Sequence, residues 1–66
     1  MTVTINGEVR EVPAGLSVAG LLAHLGIHAD RVAIERNLEL LPRVRWPETA
    51  VEPGDLLEIV HFVGGG

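Results

Sequence analysis

The stretch that decides the fold is Met1-Thr2-Val3-Thr4-Ile5-Asn6-Gly7-Glu8-Val9-Arg10-Glu11-Val12. Apolar and polar residues alternate before Asn6-Gly7, as they do in a strand that buries one face. The Asn-Gly dipeptide favours a type I′ turn, because both central positions of that turn have positive φ. The stretch therefore predicts a β-hairpin.

A short helix is predicted after the hairpin. Ser17 can act as its N-cap, because a serine hydroxyl accepts a hydrogen bond from a backbone N–H that the first turn leaves free. Gly26 stands where a left-handed C-terminal residue is expected, so the helix should end there. Between them, apolar residues recur with the spacing of one helical face, at Val18, Leu21, Leu22 and Leu25.

The rest of the chain predicts further strands. Residues 32–35 alternate, and residues 39–41 form a second short run that ends at Pro42. Residues 43–49 show no period, although Trp46 is too large and apolar to remain wholly in water. A turn fits residues 52–55, and the last strand is expected over residues 56–63. The order predicts an α+β fold, in which one helix covers one face of a four- to five-stranded sheet.

Composition narrows the function. The chain has 66 residues, of which 47% are apolar, and this length suits one domain with one core. Nine acidic residues against five arginines and no lysine give a net charge of −4, so we expect no nucleic-acid partner. No apolar stretch is long enough to cross a membrane. The first residues do not show the basic region followed by an apolar stretch that is typical of a signal peptide. We expect a soluble, cytoplasmic protein.

The sequence offers few residues for catalysis or metal binding. It contains no cysteine, lysine or tyrosine. Ser17 is explained as a helix cap. His24 and His28 have the spacing of two ligands on one helical face, but Gly26 between them is expected to end the helix. We therefore predict no catalytic residue and no metal site.

The last predicted strand has two different sides. Alternation places Leu57 and Ile59 on one side and Glu58, Val60 and Phe62 on the other. Glu58 should face water, so Val60 and Phe62 should share an exposed face with it. An exposed aromatic side chain near a chain end suggests a docking patch. The alternative is a β-bulge that turns Phe62 back into the core.

Gly64, Gly65 and Gly66 follow this strand, and we expect them to form a flexible tail on a domain of residues 1–63. When extended, they reach about 10 Å beyond Val63. A segment without side chains can enter a narrow channel and deliver its carboxylate to a buried reaction centre. Attack of that carboxylate on the α-phosphate of ATP would give an acyl adenylate, which a sulfur or nitrogen nucleophile can open. On these residues alone, a tail without a role stays an alternative.

The pattern as a whole resembles a known family, the β-grasp, ubiquitin-like sulfur carriers of thiamine biosynthesis. The resemblance spans nearly the whole chain and implies a mixed sheet with one helix on one face. The residues that carry it are Asn6-Gly7, Asn37, Leu41-Pro42-Arg43, Trp46, Gly54-Asp55 and the stretch Ile59-Val60-His61-Phe62-Val63-Gly64-Gly65-Gly66.

The resemblance implies a carrier rather than an enzyme, with no bound cofactor. In such a family, an adenylyltransferase uses ATP to activate the terminal glycine carboxylate. Sulfur from a cysteine desulfurase or another donor then gives a thiocarboxylate, from which thiazole synthase takes the sulfur. Here Gly66 would be modified, and Gly64 and Gly65 would thread into the partners. Val60, Phe62 and Glu58 would form the partner interface.

Other functions share the predicted fold. The small subunit of molybdopterin synthase uses the same tail chemistry, although its members are usually longer. A ubiquitin-like modifier would instead form isopeptide bonds with lysines of target proteins. A third alternative is a β-grasp binding module whose tail has no role.

Overall fold

A computed structural model of the chain describes residues 1–63. The predicted tail of Gly64, Gly65 and Gly66 lies outside the described residues. The elements, in chain order, are β1 (Thr2–Ile5), β2 (Glu8–Glu11), α1 (Val18–Leu25), a 3₁₀ helix (Ala29–Arg31), β3 (Val32–Arg36), β4 (Glu39–Leu40), a second 3₁₀ helix (Arg43–Glu48) and β5 (Leu56–His61).

The first hairpin forms as predicted. β1 and β2 pair antiparallel, with Ile5 opposite Glu8 across the turn. Asn6 has a φ of 51° and Gly7 a φ of 82°, which are the positive values that a type I′ turn requires. An asparagine tolerates this conformation and a glycine adopts it freely, so the local sequence is sufficient to set the turn.

Helix α1 also has the predicted ends. The Ser17 hydroxyl accepts a hydrogen bond of 3.0 Å from the backbone N–H of Gly20. Gly26 closes the helix with a φ of 73°, in the left-handed region. Three residues of the predicted apolar face are buried, namely Val18, Leu21 and Leu22. The helix therefore packs on the sheet along the stripe that its spacing defines.

The sheet has the order β2-β1-β5-β3-β4 within residues 1–63. It is mixed, because β5 runs parallel to β1 and antiparallel to β3. α1 covers one face of the sheet, and we call the other face the open face. The buried apolar side chains form one core: Val3, Ile5, Val12, Val18, Leu21, Leu22, Val32, Ile34, Trp46, Val51, Leu57 and Ile59.

Three details differ from the sequence prediction, and the first is that β4 ends at Leu40 rather than at residue 41. The segment expected to be irregular contains the 3₁₀ helix Arg43–Glu48, which places Trp46 in the core. β5 ends at His61 rather than at Val63. His61 pairs with Val32, which is the first residue of β3. Beyond His61, β5 therefore has no further residue of β3 to pair with. The Phe62 N–H still donates a hydrogen bond of 2.9 Å to the Arg31 carbonyl.

Candidate functional site

The end of β5 has one buried side and one exposed side. Leu57 and Ile59 are 1% and 6% exposed, whereas Val60 and Phe62 are 58% and 61% exposed. β5 pairs with β3 residue for residue from Leu57 to His61. This uninterrupted register confirms the predicted alternation and contradicts a bulge that would turn Phe62 into the core. Glu58 lies on the same side as Val60 and is partly exposed.

Asn6 holds the last part of β5 from the side of β1. β1 pairs with β5 only as far as Leu57. Beyond that point, the Asn6 side chain replaces a strand partner: its Oδ1 accepts from the Ile59 N–H at 2.7 Å, and its Nδ2 donates to the Ile59 carbonyl at 3.1 Å. β5 is therefore fixed on both sides just before its exposed end. The sequence predicted Asn6 only as a turn residue.

A buried ionic cluster fixes the start of β5. Asp55 is buried, and its carboxylate accepts from Arg36 Nε at 2.9 Å, from Asn37 Nδ2 at 3.2 Å and from the Glu52 N–H at 2.8 Å. Asn37 Oδ1 in turn accepts from the Leu56 N–H at 3.0 Å. Burial raises the pKa of Asp55, but these hydrogen bonds outweigh it and leave the pKa below its ordinary value.

Phe62 borders a shallow groove next to the open face. The groove has a volume of about 190 Å³. Arg43 and Trp46 also line the groove, and the Arg43 guanidinium lies over the Trp46 ring, with 5.5 Å between the Arg43 Cζ and the ring centroid. The Trp46 indole N–H donates to the Leu41 carbonyl at 2.9 Å. Other residues that line the groove are Ala33, Leu40 and Pro42.

Within residues 1–63, no group of histidine, aspartate and glutamate side chains is arranged to hold a metal ion. His24 and His28 are both exposed, and His28 lies beyond the end of α1. No helix in this part of the chain is long and apolar enough to cross a membrane. The predicted sites Gly64, Gly65 and Gly66 lie beyond the described range.

The sequence of this chain is similar to one family model and to several known proteins. The ThiS family model matches residues 3–66. A thiazole synthase of Paramagnetospirillum magneticum is 48% identical over the whole chain, which spans 20% of the length of that relative. The sulfur carrier protein ThiS of Bacillus subtilis is 40% identical over 50 residues, which are 76% of each protein.

Comparison of structures agrees with comparison of sequences. The crystal structure of a thiamine biosynthesis protein (ThiS) from Geobacter metallireducens matches with a TM-score of 0.86 and 38% identity. The match covers all of both chains. It confirms the predicted β-grasp fold, which here has a mixed sheet and, within residues 1–63, one α-helix. On the match of the family model and of this structure, the chain belongs to the ThiS family.

Proposed function

We propose that this chain is a sulfur carrier in thiamine biosynthesis, and that it is a substrate of its partner enzymes rather than a catalyst. The observation that carries the proposal is the exposed end of β5. Val60 near the end of β5 and Phe62 just after it are more than half exposed, whereas Leu57 and Ile59 of the same strand are buried. In the sequence, Phe62 and Val63 separate this strand from Gly64, Gly65 and Gly66. Membership of the ThiS family supports the same function.

The proposed chemistry takes place at the carboxylate of Gly66. An oxygen of this carboxylate attacks the α-phosphorus of ATP, which is bound by an adenylyltransferase, and pyrophosphate leaves. A hydrosulfide equivalent then attacks the carbonyl carbon of the acyl adenylate, and AMP leaves, which gives a thiocarboxylate. Sulfide can supply this equivalent directly. Sulfur from a cysteine desulfurase would arrive as a protein persulfide, whose terminal sulfur attacks the same carbon as AMP leaves, and a thiol would then reduce the resulting acyl disulfide, which releases the thiocarboxylate and leaves a disulfide on the donor. The carrier itself needs no bound cofactor for these steps.

Thiazole synthase is the proposed acceptor of the sulfur. The support is that thiazole synthases of two organisms contain a segment similar to the whole of this chain. Such an arrangement favours thiazole synthase over the molybdopterin synthase and protein-modifier alternatives. Gly64 and Gly65 would thread into the partner, while Val60, Phe62 and Glu58 would contact its surface. Because activation consumes ATP, the proposal includes a cytoplasmic location.

The test is intact mass spectrometry of the chain after incubation with ATP, sodium sulfide and the adenylyltransferase of the same organism. We expect the mass gain that corresponds to one oxygen replaced by sulfur, and fragment masses that assign it to Gly66. A matched variant with one alanine added after Gly66 should not react. An unchanged mass of the normal chain under conditions in which the enzyme activates another carrier would contradict the proposal.

A further inference from the structure

The strand register gives the two faces of the sheet different sets of charged residues. Residues that lie opposite each other in neighbouring strands point to the same face. Arg10 lies opposite Val3, and Arg36 lies opposite Leu57, so both strand arginines share the side of the buried residues. The charged strand residues on the open face are all acidic: Glu11, Glu35 and Glu58.

Two of these carboxylates face each other directly. Glu35 of β3 lies opposite Glu58 of β5, a position in which Cβ atoms are roughly 5 Å apart. Like charges in this position destabilise a sheet. Within residues 1–63, neither carboxylate has an ion-pair partner, whereas Asp55 pairs with Arg36. The Glu35–Glu58 pair therefore lacks local compensation.

Exposed apolar side chains lie next to the pair. Val60 is the next residue of β5 on the open face, and Leu40 lies opposite Glu35 on β4. Both side chains are more than half exposed. A protein that covered this apolar surface would also remove water from the two carboxylates. Such burial is costly unless the partner supplies a positive charge.

We infer that the open face binds a protein that projects an arginine from an apolar surface to the Glu35–Glu58 pair. The inference rests on the proposed function, and it assigns the role of this protein to thiazole synthase. A guanidinium suits the position, because its planar set of N–H donors can bond to two carboxylates at once. A second copy of this chain does not suit it, because two open faces in a symmetric dimer would oppose carboxylates to carboxylates.

The test compares two double variants with equal changes in charge. Glu35→Gln with Glu58→Gln neutralises the pair on the open face. Glu8→Gln with Glu39→Gln neutralises two exposed carboxylates that lie opposite Ile5 and Arg36, on the other side of the sheet. The probe is the thiazole synthase of the same organism, and titration calorimetry at several salt concentrations gives the dissociation constants.

We expect the open-face variant to bind thiazole synthase about tenfold more weakly and with less dependence on salt. The matched variant should bind as the unmodified chain does. The thermal midpoint of the open-face variant should stay the same or rise, because a repulsive pair is removed. Equal binding of all three proteins, equal weakening of both variants, or no binding of the unmodified chain would overturn the inference.

The mass experiment at Gly66 distinguishes this inference from the proposed function. If the chain gains sulfur but the open-face variant binds normally, the inference fails and the carrier function stands. If the open-face variant alone loses binding but no sulfur is gained, the carrier function fails and the binding surface stands.

Discussion

At the scale of single residues, Leu38 has an unfavourable backbone conformation. The β3–β4 hairpin turns at Asn37 and Leu38, whose φ values of 53° and 72° resemble those of Asn6 and Gly7. A leucine is strained in this region, because its Cβ crowds the following carbonyl. The Leu38 side chain is 78% exposed, so its burial does not offset the strain.

We therefore predict that Leu38→Gly stabilises the chain. Relief of the left-handed strain contributes about 1–2 kcal/mol. The greater freedom of glycine in the unfolded chain removes about 0.4–1 kcal/mol of that gain. Urea unfolding should show a net gain of about 0.5–1 kcal/mol. Leu38→Ala keeps the Cβ and is the control, and a similar gain in that variant would contradict the explanation.

The lowered pKa of Asp55 predicts how the stability of the folded chain depends on pH. Because its pKa is lower in the folded protein than its ordinary value of 3.8, the unfolded chain binds the proton more tightly. The stabilisation by this group is therefore complete well above pH 3.8 and is lost as the pH falls through the folded-state pKa. The unfolding free energy should therefore decrease as the pH is lowered through this range. The variant Asp55→Asn should show a smaller change of unfolding free energy with pH.

The same variant tests how much the ionic cluster contributes to the free energy of unfolding at neutral pH. Asp55→Asn removes a charge that accepts from Arg36, Asn37 and the Glu52 N–H. We expect a loss of about 1.5–3 kcal/mol in unfolding free energy by urea denaturation. Asp30→Asn, at an exposed aspartate, should change it by less than about 0.5 kcal/mol. Equal losses in both variants would contradict a special role for the cluster.

At the scale of elements, the same substitution of glycine by alanine should have opposite effects on stability at two positions of helix α1, one inside it and one at its C-terminal end. Gly20 lies inside the helix, and an added Cβ would lie 3.4 Å from the Ser17 hydroxyl oxygen, which is an ordinary contact distance. Gly20→Ala should therefore stabilise the chain by up to about 1 kcal/mol. Gly26 has a φ of 73°, so Gly26→Ala should destabilise it by about 1 kcal/mol. Thermal unfolding of both variants checks the signs, and a loss at Gly20 would show that the helix is more tightly packed than described.

The elements with local signals could be predicted from the sequence. Asn6-Gly7 set the first turn, and Ser17 and Gly26 set the ends of α1, because each effect acts within a few residues. The 3₁₀ helix Arg43–Glu48 was missed, since it follows no apolar period. Within this 3₁₀ helix, Trp46 is buried and its indole N–H donates a hydrogen bond to the Leu41 carbonyl. A sequence shows that Trp46 should be buried but does not show the backbone shape that achieves it.

At the scale of the whole molecule, stability and partner binding should depend on different sides of β5. Phe62→Ser changes an exposed side chain, so unfolding free energy should change by less than about 0.5 kcal/mol. Leu57→Ala removes a fully buried side chain and should cost about 2–5 kcal/mol. We expect Phe62→Ser nevertheless to slow the gain of sulfur in the mass assay. A normal rate with this stable variant would remove Phe62 from the partner interface.

Only part of the candidate site could be predicted from the sequence. Alternation along one strand was sufficient to place Val60 and Phe62 on the exposed side of β5. The Arg36–Asp55 ion pair and the Glu35–Glu58 pair each join residues from separate strands or loops. These contacts depend on which strands are neighbours and in which register they pair. A single sequence carries no local signal for either property.

The parallel pairing of β1 with β5 has a mechanical consequence. The two strands point the same way, so a pulling force applied between Thr2 and His61 acts along both strands in opposite directions. Their hydrogen bonds, together with the Asn6 clamp on Ile59, would then be strained in shear and would have to break nearly together. Stretching this chain from its two ends should therefore need a high force and should end in one abrupt break at this strand pair.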